Sequence, residues 1–121
     1  MKTRVLFAVD FTPDVKRKAQ KLAETAWPPG TIVRILSAVE SIPPAAAELW
    51  FDCDGSLPAV MEARRERCEE LVAATAEVLR TKGIEVETAV RFGRMRRVVA
   101  REAKAWQANV IVQRPVWRSW F

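Results

Sequence analysis

Two sets of residues in this chain have the types and spacing to do chemistry. The first is Asp10, an acid that closes the apolar run Val5-Leu6-Phe7-Ala8-Val9. A carboxylate at the carboxyl end of a buried strand stands where open parallel sheets take up ligands, although the same acid can simply cap its own loop by accepting nearby backbone N–H groups. The second set is basic: Arg94, Arg96, Arg97, Arg101 and Lys104, with Arg114 downstream. On a helix, Arg94, Arg97, Arg101 and Lys104 fall on one stripe, roughly opposite Met95, Val99 and Trp106. Such a stripe is ordinarily a solvated face. Here Arg94, Arg96 and Arg97 also crowd the first turn, where the helix dipole is already positive and each cation is disfavoured by about 0.3–1 kcal/mol. Lys16, Arg17 and Lys18, near the start of an earlier helix, add positive charge at the same end of the sheet. The pattern attracts anions: a phosphate, a nucleotide, RNA or an acidic partner.

The residues that are missing narrow the choice. The 121 residues include no histidine and two cysteines, Cys53 and Cys68, which fit no CxxC or zinc-ligand spacing. His-based metal sites and Ser-His or Cys-His nucleophile pairs are therefore excluded. Cys68 falls on the apolar face of a predicted helix and reads as a buried structural thiol. Half the residues are hydrophobic, 29% are charged and the net charge is +5, the balance of an ordinary globular protein. No apolar run approaches the roughly 18–20 residues that cross a bilayer, and the basic start leads into only five apolar residues. The expectation is one soluble, cytoplasmic domain over 1–121, with a core of 1–113 and an Arg/Trp-rich tail of 114–121.

The elements that must position these groups follow from periodicity. Residues 5–9 read as a strand buried on both faces. Thr12 is the predicted N-cap of a first helix, with Pro13 at its first position and Val15, Ala19, Leu22 and Ala26 on its apolar side. Residues 32–39 give a second strand, parallel to the first through a right-handed crossover. Prolines and polar residues make 41–56 a loop. A long helix over 57–82 places Met61, Cys68, Leu71, Val72, Thr75 and Leu79 on one side, Glu62, Arg65, Glu66, Glu69 and Glu70 on the other, and stops at Gly83. Residues 84–92 alternate, with Ile84, Val86, Thr88, Val90 and Phe92 on the apolar side, as in a strand at a sheet edge. A third helix over 94–107 buries Met95, Val98, Val99, Ala103 and Trp106, and 109–112 form a fourth strand.

The order strand, helix, strand, long loop, long helix, strand, helix, strand resembles the universal stress protein family over essentially residues 2–113. The most telling pieces are Ala8-Val9-Asp10-Phe11-Thr12 closing the first strand and Pro29-Gly30-Thr31-Ile32-Val33 entering the second. Gly83-Ile84-Glu85-Val86-Glu87-Thr88, Gly93 and Asn109-Val110-Ile111-Val112 complete the set. The resemblance implies an open parallel α/β/α sheet of about four strands, Rossmann-like, with the family's last helix and fifth strand missing. In ATP-binding members the acid ending the first strand lies near the base or ribose, and a G-x2-G-x9-G-[ST] loop after the fourth strand wraps the phosphates. Asp10 matches that acid, with Val9 and Ala38 as wall positions. The loop has no counterpart, because Gly30, Gly55, Gly83 and Gly93 all precede the fourth strand. Glycines let the backbone approach a phosphate and present its N–H groups, which Arg114, Pro115 and Trp117 do not replace in the same geometry.

The leading expectation is a non-catalytic stress-response module with ATP binding lost or weak, no resident cofactor, and weak ATPase activity at most. It would act as a homodimer by a non-standard route, with the tail paired to a second subunit or folded back over the open edge, or through a protein partner. One alternative keeps adenine nucleotide at Asp10, with Arg94, Arg97 or Arg114 on the phosphates. Another is RNA, DNA or an acidic partner on the basic helix; for nucleic acid, only the tail aromatics Trp117, Trp120 and Phe121 look available for stacking.

Overall fold

A computed structural model of the chain describes residues 2–40, 57–113 and 117–119, with Leu57 and 117–119 described by backbone alone. The predicted loop over 41–56 with Cys53, the candidate Arg114, and Trp120 and Phe121 lie outside the described residues.

The apolar run in the first strand needs cover on both faces, and the topology supplies it. β1 (Arg4–Ala8) is the middle of a sheet ordered β3-β2-β1-β4-β5, with β2 at Ile32–Val39, β3 at Glu85–Phe92, β4 at Val110–Val112 and β5 at Trp117–Ser119. β1 pairs in parallel with β2, Arg4 opposite Ile32 through Ala8 opposite Leu36, and on its other side with β4, Val5 opposite Val110. Successive side chains then point to opposite faces: Val5 and Phe7 enter one apolar cluster and Leu6 the other. β2 and β3 are parallel from Ile32–Glu85 to Val39–Phe92. The expected four-strand parallel α/β sheet is thus present.

Where a fifth strand is expected to be missing, a short antiparallel one stands, the tail folded back as one of its two expected arrangements. Backbone 117–119 pairs antiparallel with β4, Val112 opposite Trp117, so the chain folds back on its own edge. Short hairpin returns of this kind need no crossover helix, and neither alternation nor length in the tail announces one.

Two helices, α1 (Val15–Glu24) and α2 (Leu57–Arg80), cover one face, and α3 (Met95–Trp106) covers the other. Val15, Ala19 and Leu22 are the buried stripe of α1. Its start differs from expectation: the N-cap is Asp14 rather than Thr12, with no side-chain cap bond, because 12–14 form a turn in which Val15 N–H donates to Thr12 O. Its end differs too, falling at Glu24 and leaving Ala26 exposed. In α2, Cys68, Val72, Thr75, Ala76 and Leu79 are buried. The helix closes at Gly83, φ +79°, where Ile84 N–H donates to Leu79 O and Gly83 N–H to Arg80 O, the double bond of a Schellman end.

β3 is an edge strand, as its alternation predicts, but its covered face is narrower than expected. Ile84, Val86 and Val90 pack against the α1/α2 side, whereas Thr88 and Phe92 are exposed, Phe92 to 56%. The long helix α2 packs along this strand but leaves Thr88 and its last residue, Phe92, open.

Candidate functional site

The sheet order reverses at β1, whose neighbours β2 and β4 lie on opposite sides and are reached by separate crossovers. In open α/β sheets the crevice at the carboxyl ends of the strands beside such a switch point receives ligands. Two adjoining cavities lie there, of about 120 and 350 Å³, sharing Asp10 and Met95. The smaller lies between β1 and β4 and is bounded by Ala8, Val9, Thr12, Lys18 and Gln113. The larger lies over β2 beneath α2 and is bounded by Phe11, Ser37, Ala38, Val39, Glu40, Arg64, Arg67 and Cys68.

Local backbone bonds explain how these groups reach the crevice. Val9 is buried and its N–H donates to Leu36 O at 2.9 Å, holding β1 in register past its end. Asp10 is the first exposed residue after β1, and its carbonyl accepts the Thr12 N–H at 2.9 Å. That turn leaves the Asp10 carboxylate in the crevice while the chain swings into α1. Thr12 Oγ1 and Asp14 Oδ1 are both buried without a hydrogen bond of regular geometry. The Thr12 hydroxyl is nonetheless the main influence holding the Asp14 carboxyl below the usual carboxylate range, reinforced by Lys18, whose Nζ lies 3.5 Å from Asp14 Oδ2.

Charge in the larger cavity is mixed. The Arg67 guanidinium lies 4.9 Å from the Phe11 ring centroid, and Arg64 Nη1 donates to Glu40 O at 3.2 Å. Glu40 also reaches the other helix layer, where its Oε1 accepts the Met95 N–H at 3.1 Å. That bond corrects the reading of the third helix as locally unfavourable. A carboxylate from the end of β2 caps the α3 N-terminus and offsets its dipole beside Arg94, Arg96 and Arg97. The Cys68 thiol is buried, as expected, 3.7 Å from Ala38 O. Carboxylates, guanidiniums and a flat ring in a cleft of this size are groups that bind a small polar ligand.

The sequence matches the universal stress protein family over residues 1–114. The chain belongs to that family. A comparison with curated proteins returned no match. Among solved structures, the hypothetical protein MJ0577 superposes with a TM-score of 0.71 at 11% identity, covering 92% of this chain and 73% of that one. The universal stress protein of Archaeoglobus fulgidus gives 0.61 at 17% identity, over 93% and 75%. An Arabidopsis thaliana universal stress protein family member, solved with AMP bound, gives 0.55 at 15%, over 90% and 74%. At these identities the likeness shows the fold.

Of the residues singled out from sequence, this universal stress protein domain brings Asp10, Val9 and Ala38 to the crevice. Arg94 is the residue before α3, next to Met95, and does not bound either cavity; Arg97 and Arg101 lie exposed further along the helix. The cations that do line the crevice are Lys18, already placed at this end of the sheet, and Arg64 and Arg67, which sequence reasoning missed because they sit in a helix segment that reads as a Glu-rich wet face. Their offset of three residues on one side of α2, near Cys68, was the available signal.

Proposed function

We propose that this universal stress protein domain is a non-catalytic, cytoplasmic regulatory module in which ATP binding is lost or weak, and which acts through contact with a second copy or a protein partner. The observation that carries the reading is the β4–β5 hairpin. In ATP-binding relatives the glycine loop follows the fourth strand; here Val112 stands opposite Trp117 in an antiparallel pair, and the residues between them, Gln113-Arg114-Pro115-Val116, include no glycine. A segment of that composition lacks the residues that let backbone N–H groups approach phosphates closely. Among the described residues the outer strands β3 and β5 each have one edge without a strand partner, which favours association. Among the described residues no helix is long and apolar enough to cross a membrane. The purified protein is expected to show no absorbance excess at 260 nm; ATP or AMP released on denaturation would overturn the reading.

A second reading, retained adenine nucleotide, is favoured by Arg64 and Arg67 beside Asp10 and Ala38 and by the AMP-bound relative. It predicts stabilisation by about 2.7 kcal/mol at a hundredfold excess of ATP over its dissociation constant, removed by Asp10→Ala or by Arg64→Ala with Arg67→Ala. No thermal shift at millimolar ATP rejects it.

A further inference from the structure

The two outer strands of the sheet differ in kind. β5 is three residues long, and shortness is one way in which edge strands avoid pairing with another chain. β3 runs for eight residues, paired with β2 from Glu85 to Phe92 without a break, and contains neither proline nor lysine. The bond at its end shows how its backbone is turned. Gly93 N–H donates to Val39 O, so the odd-numbered residues direct their backbone polar groups to β2, while Val86, Thr88, Val90 and Phe92 direct theirs to the open side. Arginine side chains meet two of these outward carbonyls where a strand could: Arg80 Nη2 donates to Val86 O at 3.4 Å and Arg91 Nη1 to Val90 O at 3.2 Å. Phe92 is 56% exposed, Thr88 and Glu85 are exposed, and Glu85 makes no ion pair with any described residue.

We propose that β3 is the strand by which two copies of this chain associate, antiparallel and centred on Thr88, so that their sheets become continuous; this rests on the reading that the domain acts through contact with a second copy. The strand is complementary to itself in that register. Ile84 of one copy stands opposite Phe92 of the other and Val86 opposite Val90, on the α1/α2 side; Glu85 stands opposite Arg91 on the α3 side, and Thr88 meets Thr88 at the axis. A two-fold interface makes each off-axis pair twice. Opposite charges and aromatic–aliphatic pairs favour cross-strand pairing, and like charges oppose it. Outward groups must face outward groups to exchange N–H···O bonds, so the adjacent registers centre on Glu87 or on Ala89. The first sets Glu87 against itself. The second leaves Glu85 opposite Gly93 and offers Arg91 only Glu87, which Arg34 already holds. An unrelated strand would need this same order of charges, which the chain itself supplies.

The test is sedimentation equilibrium of the full chain over a range of concentrations, where the mass should rise to twice the monomer's 13.7 kDa. Thr88→Pro removes an N–H that faces away from β2, and should raise the dimer dissociation constant roughly tenfold or more. Glu85→Lys sets a lysine against Arg91 twice and should raise it about tenfold. In a Cys53→Ser background, Thr88→Cys brings two thiols together across the axis, with Cα atoms about 5.5 Å apart, and should give a disulfide-linked dimer on mild oxidation. Glu87→Cys should crosslink far less. A monomer at every concentration overturns the proposal, and so does a dimer that Thr88→Pro leaves unchanged, which assigns the contact to β5 or to a helix face. Stronger crosslinking at Glu87→Cys than at Thr88→Cys overturns the Thr88-centred pairing. Thermal midpoints near the parent value show that the exposed substitutions leave the fold intact. The nucleotide result is separate: ATP or AMP released on denaturation overturns the regulatory reading even if the dimer forms, whereas a nucleotide-free monomer leaves that reading a protein partner and ends this proposal.

Discussion

On one face of the sheet α1 and α2 close over Val5, Phe7, Val33 and Ile35 with Ala19, Leu22, Val72, Ala76 and Leu79, all side chains without charge. On the other face α3 is the one described helix that packs on Leu6, Leu36, Ala89 and Ile111, and beside that patch lies an ionic network. Arg34 Nη1 meets Glu102 Oε2 at 2.6 Å and Arg34 Nη2 meets Glu87 Oε1 at 2.7 Å, while Arg91 Nε meets Glu102 Oε1 at 3.1 Å. The Arg34 guanidinium also lies 4.4 Å from the Trp106 ring centroid. The cause is geometric. Five strands span about 19 Å at roughly 4.8 Å each, and one helix is only about 10–12 Å across. Two helices can seal a face with apolar side chains. One helix cannot, so where its cover runs out the sheet carries charged side chains, which pair with each other and with the one acid that reaches back from α3.

The difference can be broken by comparing one substitution on each face. Leu22 is fully buried, and Leu22→Ala should cost about 2–5 kcal/mol of unfolding free energy, measured by urea denaturation, with little dependence on salt. Glu102 is 8% exposed, but its partners Arg34 and Arg91 have side chains 22% and 52% exposed. Water therefore screens the network, and Glu102→Gln should cost about 1–3 kcal/mol, below the 3–5 expected for a sealed ion pair. That loss should shrink in 1 M salt, where the screening length falls to about 3 Å. A Glu102→Gln penalty that exceeds Leu22→Ala and ignores salt would mean that the single-helix face is sealed after all.

The same contrast marks what a reader of the sequence can see. β1 was legible because its apolar run needs cover on both faces, α2 because Cys68, Val72 and Leu79 recur at helical spacing up to Gly83, and the edge position of β3 because its polar residues alternate. Asp10 was legible as the acid at the end of a buried strand. What escaped depended on long-range placement. Glu40 lies 55 residues from the N–H that it caps. Glu102 looks like any helix-surface acid until Arg34 and Arg91 are brought beneath it. Phe92 continues the apolar alternation of its strand, yet the helix cover ends before reaching it. Periodicity shows that an element has an apolar side; it does not show how far the covering layer extends, and the ionic network and the exposed ring both lie at that margin.

The smallest expected effect concerns how the helices of the two faces end. α2 and α3 finish with the same pair of bonds: Ile84 N–H to Leu79 O with Gly83 N–H to Arg80 O, and Ala108 N–H to Ala103 O with Gln107 N–H to Lys104 O. Each requires a left-handed residue. On the two-helix face that residue is Gly83, φ +79°; on the single-helix face it is Gln107, φ +57°, the one non-glycine with positive φ among the described residues. A side chain in that conformation costs about 1–2 kcal/mol, partly offset because glycine gives the unfolded chain more freedom to lose. Gln107→Gly should therefore stabilise the protein by about 0.5–1 kcal/mol, raising the thermal midpoint by roughly 2–5 °C for a domain of this size. Gly83→Ala should move it the other way by a similar amount. Because Gln107 is exposed and outside the ionic network, its gain should add to the Glu102→Gln loss rather than depend on it. If Gln107→Gly instead destabilises, the glutamine side chain is holding the end of α3 in place, and the single-helix face depends on polar contacts at its terminus as well as at its margin.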